Sequence, residues 1–363
     1  MKLTIVAGTR PNFVKIAPII HAIQKFQYEK RIIEFRLVHT CQHYDKIMSS
    51  NFFTELQIPE PHINLDSGGG SQAEQTANIM IRFEKDLLEN PADLVLVVGD
   101  VTSTMACAIT AQKLCTKVAH VEAGIRSYDW TMPEEINRLI TDSVTNYFFT
   151  TTQNAGENLM ASGVKRDFIY FVGNTMIDTL LKNRSNFRKP SFWGSFGLRK
   201  KNYLVITLHR PAVVDFEERL KEIVNAILEY TRDKLIIFPV HPRTARVLYN
   251  LGIEHPRLHL IEPLSYLEFN YLVENSFAVI TDSGGISEET TVLGIPCMTI
   301  RSNTERPETI EQGTNELLGT NPKSICTAMD KLFNGNWKTG NVPHLWDGKS
   351  SVRIVQKILD IHS

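Results

Sequence analysis

Short β-branched apolar runs alternate with segments of helical period along nearly the whole chain, and no other feature restricts its fold as much. The runs fall at 3–7, 33–39, 94–98, 118–121, 147–150 and 169–172, then again at 203–207, 235–239, 258–261, 278–281 and 296–300. Helical periodicity lies between them at 13–24, 73–88, 104–114, 134–144, 216–229 and 288–293. Strands apolar on both faces need cover on both faces, and successive strand–helix–strand units join by right-handed crossovers into a mainly parallel sheet. The predicted class is therefore α/β and doubly wound. One break interrupts the series. Residues 183–201, NRSNFRKPSFWGSFGLRKK, lose periodicity and gather Ser, Gly, Pro and basic side chains before a fresh strand, YLVIT, begins a second series. This predicts two doubly wound domains, drawn as 1–175 and 176–349, facing each other across a cleft. The last helical segment, carrying Val352, Val355, Ile358 and Leu359, suits either domain by its pattern.

At 363 residues the chain has room for two such domains, each with its own core. Its formal charge is −1, with Lys and Arg dispersed along the sequence, so no basic face for nucleic acid or an anionic membrane is expected. Cys41, Cys107, Cys115, Cys297 and Cys326 are odd in number and form no C-x-x-C, which points away from a disulfide framework or a zinc site. The first residues, MKLTIVAGTR, hold too short an apolar run for a signal peptide and read directly as a strand. No stretch approaches the ~20 apolar residues of a membrane span, and a cytoplasmic location is expected.

In an α/β sheet, ligands bind beyond the carboxyl ends of the strands. Several acidic residues are delivered there. Asp100 ends LVLVVGD, Glu122 ends VAHVE, and Glu134 opens the helix of MPEEINR, with His120, Arg126 and Arg138 close in sequence. Each has a plain structural alternative. Asp100 suits a helix N-cap, Glu134 favours the helix dipole, and Glu134 with Arg138 makes an i,i+4 pair. Glu122 is followed by Ala-Gly and serves no helix start. Three carboxylates gathered at one sheet edge favour catalysis over three separate structural roles. Ahead of them, Gly8-Thr9-Arg10-Pro11 follows the first strand, and Arg10 and Lys15 are placed for a phosphate. The loop is not a G-x-G-x-x-G fingerprint, so no dinucleotide cofactor is expected, nor any other cofactor or metal.

In the second series His209-Arg210 follows YLVIT, and His241-Pro242 repeats the pattern after LIIFPV. A histidine there can titrate near neutrality or donate to a phosphate; one of the two is equally a packing residue. The segment Thr281-Asp282-Ser283-Gly284-Gly285-Ile286-Ser287-Glu288-Glu289 takes a strand through small residues into a helix. Exposed amides at a helix start make a diphosphate cradle, with Glu289 one turn on to accept from ribose hydroxyls. The alternative is a helix capped by Asp282 or Ser283, but two glycines there waste helical stability. In RSNTERPE, Arg306 is a further phosphate candidate, and otherwise a solvated loop cation.

Taken in order, GTRP, QH, GD, HVEAGIRS, PEEINR, GNTMID, HR, HP, TDSGG with EE, LGIP and TERPE resemble the non-hydrolysing UDP-N-acetylglucosamine 2-epimerase family over nearly the whole chain. The resemblance implies two Rossmann-like domains in the arrangement of GT-B glycosyltransferases, with the C-terminal helix 350–363 crossing back to complete the first domain. It implies an isomerase that converts UDP-GlcNAc to UDP-ManNAc by anti elimination of UDP to 2-acetamidoglucal and re-addition, feeding bacterial cell-surface polysaccharide synthesis. No cofactor is implied, and a homodimer is. By the same resemblance Asp100, Glu122, Glu134 and His209 are catalytic, while Arg10, Lys15, Phe269, Ser283, Gly284, Gly285, Glu289 and Arg306 hold UDP or substrate. The chain departs from the commoner family pattern at Asn12, Cys41, Lys46, the Pro211-Ala212-Val213 run after HR, and Ser287. The competing expectations are a GT-B glycosyltransferase, a hydrolysing relative that releases ManNAc, an epimerase of a modified UDP-GlcNAc, and a nucleotide-sugar sensor without catalysis.

Overall fold

The computed structural model describes residues 1–29, 33–41, 52–214, 216–240 and 242–362. Gln42, His43, Lys46 and His241, singled out above, lie outside them. The chain forms two compact units, residues 1–182 with 344–363, and residues 183–343.

The first unit holds a seven-stranded sheet: β1 (Lys2–Ala7), β2 (Glu34–His39), β3 (Ile63–Asn64), β4 (Leu94–Val98), β5 (Lys117–Val121), β6 (Tyr147–Thr150) and β7 (Ile169–Phe171). Their spatial order is β3-β2-β1-β4-β5-β6-β7, and every pair is parallel. Every residue of β4 is buried, as a central strand covered on both faces must be. The covering helices are α1 (Arg10–Tyr28), α2 (Gln72–Glu89), α3 (Thr102–Lys113), α4 (Pro133–Ser143), α5 (Gln153–Ala161) and α6 (Thr175–Asn183). Helix α1 contains Pro18, which has no N–H to donate to the carbonyl of Val14. The hydroxyl of Thr179 on α6 donates to that carbonyl instead, at 2.6 Å, so the buried acceptor is satisfied across the helix pair.

The second unit repeats the plan with β8 (Tyr203–Thr207), β9 (Leu235–Pro239), β10 (Leu258–Ile261), β11 (Ala278–Thr281), β12 (Cys297–Thr299) and β13 (Asn315–Leu317) in the order β10-β9-β8-β11-β12-β13, again all parallel. Its helices are α7 (Pro211–Val214), α8 (Glu217–Tyr230), α9 (Pro242–Asn250), α10 (Tyr266–Asn275), α11 (Gly284–Leu293), α12 (Pro307–Glu311) and α13 (Pro322–Phe333). One apolar cluster, including Ile206, Phe238, Ile280 and Met298, fills one side of this sheet; another, including Tyr203, Val205, Val279 and Trp193, fills the other. In each sheet the strand order reverses beside the first strand, between β1 and β4 and between β8 and β11. Loops diverge at such a switch point, which leaves room for a ligand.

The chain ends in α14 (Ser350–Ile361), which belongs to the first unit and packs on α1. Buried Trp346 leads into it and donates Nε1–H to the carbonyl of Thr151 at 3.2 Å. Asp178 on α6 then caps its start, accepting from the backbone N–H groups of Ser350 and Ser351 at 3.1 and 2.7 Å. Gly173 lies against this tail with φ +95°, and a Cβ there would meet the carbonyl oxygen of Leu345 at 2.1 Å. The C-terminal helix thus returns to the first unit.

Candidate active site

In the first unit, Thr9 ends the loop after β1 and caps α1. The Asn12 Oδ1 accepts from the backbone N–H of Gly8 and Thr9 at 3.0 Å each, and its Nδ2 donates to the carbonyl of Val98 at 3.2 Å. One amide therefore ties the β1 loop to the end of β4. A glutamate, the commoner residue of the resembled pattern, has no N–H to make the second contact. Strands β4 and β5 run in register, Val98 beside Val121, so Gly99-Asp100 and Glu122 leave the sheet side by side.

Glu122 has φ +70°, a left-handed backbone that a non-glycine residue adopts at a cost of roughly 1–2 kcal/mol. It is 3% exposed, and Lys15, itself 7% exposed, donates to its Oε2 at 2.7 Å. Gly99, also in the left-handed region, makes space for this pair, because a Cβ there would sit 3.2 Å from the Lys15 Nζ. A charge pair buried on a strained turn costs stability without improving packing, which makes it a functional candidate.

Asp100 is not a helix cap; the capping position of α3 belongs to Val101. Its Oδ2 accepts from Arg138 Nε and Nη2 at 3.0 and 2.8 Å. Arg138 also donates to Glu135 at 2.5 Å, so the expected i,i+4 pair with Glu134 gives way to an i,i+3 pair with the next residue. Glu135 is the structural acid, accepting from the N–H groups of Ser127 and Tyr128 at 2.9 and 3.0 Å. Glu134 is half-buried in the first turn of α4.

Behind these loops stands a buried network that the sequence pattern did not reveal as one unit. His120 Nδ1 lies 2.8 Å from Asp142 Oδ1, and its Nε2 lies 2.8 Å from the carbonyl of Gly99. Arg126 contacts the other Asp142 oxygen at 2.6 Å. Burial opposes ionisation of Asp142, but His120 and Arg126 outweigh it and hold the carboxyl below its ordinary range. The i,i+4 spacing of Arg138 and Asp142 along α4 was the available signal, placing both on one helix face.

In the second unit, buried Asp282 accepts from the backbone N–H groups of His209 and Arg210, each at 2.8 Å, and its Oδ1 lies 2.7 Å from His209 Nδ1. Burial raises its pKa, but these contacts prevail and keep it ionised below the usual carboxylate range. The His209 side chain is 62% exposed, so its Nδ1 is held from behind while the rest of the ring faces solvent. Ser283 occupies the capping position of α11 but makes no side-chain cap bond, so the amides at Gly284 and Gly285 are not closed off by it.

Further along α11, Glu289 is buried and receives the Tyr266 hydroxyl at 3.2 Å. Burial pushes its carboxyl up to about 7, against hydrogen bonds from Tyr266 and Asn270. Phe269 sits half-buried on the same helix as those two partners. Arg306 and Glu305 are buried rather than solvated; Arg306 Nε lies 2.7 Å from Glu288, and Arg301 Nη2 donates to Glu305 at 2.6 Å. Among the described residues no His, Cys, Asp or Glu cluster is arranged for a metal, and no helix is long and apolar enough to cross a membrane.

A family model described as UDP-N-acetylglucosamine 2-epimerase matches residues 25–359. The chain is similar, at 43% identity over 98% of both chains, to a UDP-N-acetylglucosamine 2-epimerase of Methanocaldococcus jannaschii. It is 38% identical, over 88% of both chains, to a UDP-2,3-diacetamido-2,3-dideoxy-D-glucuronate 2-epimerase of Pseudomonas aeruginosa. Among solved structures it resembles the M. jannaschii enzyme in complex with UDP-GlcNAc and UDP, with a TM-score of 0.87, 43% identity and 99% of each chain covered.

Proposed function

The chain belongs to the UDP-N-acetylglucosamine 2-epimerase family, and from that membership we propose that it interconverts UDP-GlcNAc and UDP-ManNAc. The C2 proton is removed as the C1–O bond to UDP breaks, giving 2-acetamidoglucal. UDP then adds back to C1 while C2 is protonated on the opposite face. The bond that breaks is remade, one proton leaves and one returns, and no hydride moves. Such a reaction needs carboxylates for proton transfer and for oxocarbenium-like charge, with cations for the departing diphosphate.

In this reading Asp100, Glu122 and Glu134 share the proton transfers and the charge at C1. Arg10 and Lys15 serve the anionic substrate. In the second unit Ser283, Gly284, Gly285 and Arg306 hold the diphosphate, His209 assists at the phosphate, and Glu289 accepts from the ribose, with Phe269 in the nucleotide site. The product supplies cell-surface polysaccharide synthesis. The observation that carries the reading is Glu122, a carboxylate buried against Lys15 on a left-handed turn at the sheet edge. The P. aeruginosa relative favours a second substrate, the diacetamido-glucuronate analogue. Incubation with each nucleotide sugar, without acceptor, tests both. Appearance of the C2 epimer with no free sugar supports the proposal; release of free ManNAc points to the hydrolysing reaction, and an unchanged nucleotide sugar rejects epimerisation.

A further inference from the structure

Arg301, on the loop after β12, has no assigned role in the reading above, yet it is 5% exposed. One side of its guanidinium is occupied. Nη2 donates to Glu305 Oε2 at 2.6 Å and to Asn303 Oδ1 at 3.3 Å. The other terminal nitrogen, Nη1, is buried without a hydrogen-bond partner. A buried charged donor left unsatisfied is expensive, and a bound group that accepts from it is one way to offset that cost.

The position of Nη1 indicates what that group is. A Cβ built on Gly284 would lie 3.9 Å from it and 2.9 Å from Glu305 Oε1. Gly284 is the first residue of α11, a helix of ten residues whose start has no side-chain cap. An uncapped helix start with the positive end of its dipole and an unpartnered guanidinium N–H therefore lie together, and both favour an anion. Glu305 keeps the fork in place, and its own charge is shared with Arg210, whose Nη2 lies 3.7 Å from Oε1.

We propose that Arg301 is a phosphate-binding residue, donating Nη1–H to an oxygen of the diphosphate held at the start of α11, with Glu305 as its positioning residue. This rests on the reading that the second unit binds UDP. The fork geometry matters, since a guanidinium offers one terminal nitrogen to Glu305 and the other to the ligand in a fixed plane, whereas an ammonium has a single nitrogen to share between them.

Calorimetric titration of the full chain with UDP, uridine and inorganic pyrophosphate tests it, in wild type, Arg301→Met, Arg301→Lys, Glu305→Gln and the Arg301→Met/Glu305→Gln double variant. Loss of one charge-assisted hydrogen bond predicts UDP and pyrophosphate weakened by roughly 10–100-fold in Arg301→Met, with uridine within about twofold of wild type. The same loss should persist in the Glu305→Gln background. A loss that vanishes there, or that falls equally on uridine, makes Arg301 a mere prop for Glu305 and overturns the proposal. If Arg301→Met does not fold, Arg301→Lys decides, and wild-type UDP affinity in that variant is the contradicting result. A wild type that binds pyrophosphate but no uridine nucleotide would overturn the UDP reading alone, leaving Arg301 to be judged on pyrophosphate.

Discussion

Lys15 and Glu122 illustrate how much of the chemistry is decided by single residues. Their pair is buried, and the backbone of Glu122 is strained, so replacing Glu122 by Gln keeps the shape while leaving the ammonium without its charge partner. Turnover should fall by at least ~10²-fold in Glu122→Gln and in Asp100→Asn, the usual effect of losing a positioned acid or base, with UDP affinity within a few fold. Steady-state kinetics beside UDP titration checks this, and near wild-type turnover in both would return these carboxylates to structural roles. Glu289 makes a different prediction. Burial raises its folded pKa from 4.5 to about 7, so the folded state holds a proton that the unfolded state releases earlier. Stability from this group is therefore greatest below pH 4.5 and declines as pH rises through about 7, by roughly 3 kcal/mol in all at about 1.4 kcal/mol per unit. Urea unfolding at pH 5 and pH 8 should show a smaller pH-dependent loss in Glu289→Gln than in wild type; identical losses would remove Glu289 from the account. Asp100, Glu122 and the Ser-Gly-Gly turn were legible as residues because strand ends expose them in the sequence. Asp142 and Tyr266 were not, because each acquires its meaning from a partner distant in sequence, Asp142 from His120 and Tyr266 from Glu289.

At the scale of elements, continuous apolar runs located the central strands, because a strand buried on both faces leaves no room for polar residues. The edge strands β3 and β13 have only two and three residues, too few to establish a period, and they escaped the pattern. Helix α11 begins at Gly284, four residues before its periodic segment at 288, because glycines that read as a turn carry the first helical turn. The caps are testable at this scale. Asp178→Ala should free the N–H groups of Ser350 and Ser351 and lower stability by about 1–2 kcal/mol, the usual value of a cap. Thermal unfolding reads this directly, and an unchanged midpoint would mean that Trp346 and the apolar face of α14 suffice. Gly99→Ala combines a left-handed backbone with a Cβ 3.2 Å from Lys15 Nζ, so it should lose both stability and turnover. Full activity in that variant would show that the Lys15–Glu122 geometry tolerates displacement.

For the molecule as a whole, two parallel doubly wound sheets follow from strand–helix alternation and from the single break in it. The destination of the C-terminal helix does not, since its apolar face suits either unit by pattern; Trp346 and Asp178 decide for the first, through contacts spanning more than 170 residues of sequence. In the proposed mechanism this fold performs elimination and re-addition with its own side chains. Proton NMR of UDP-GlcNAc with the protein in deuterium oxide, with no NAD or metal added, tests this mechanism at the reacting carbon. Elimination and re-addition should make the C2 proton signal disappear from UDP-GlcNAc and UDP-ManNAc as the two equilibrate, with deuterium taken up at C2. Equilibration with the C2 proton retained, or an absolute requirement for NAD or a metal, would contradict it.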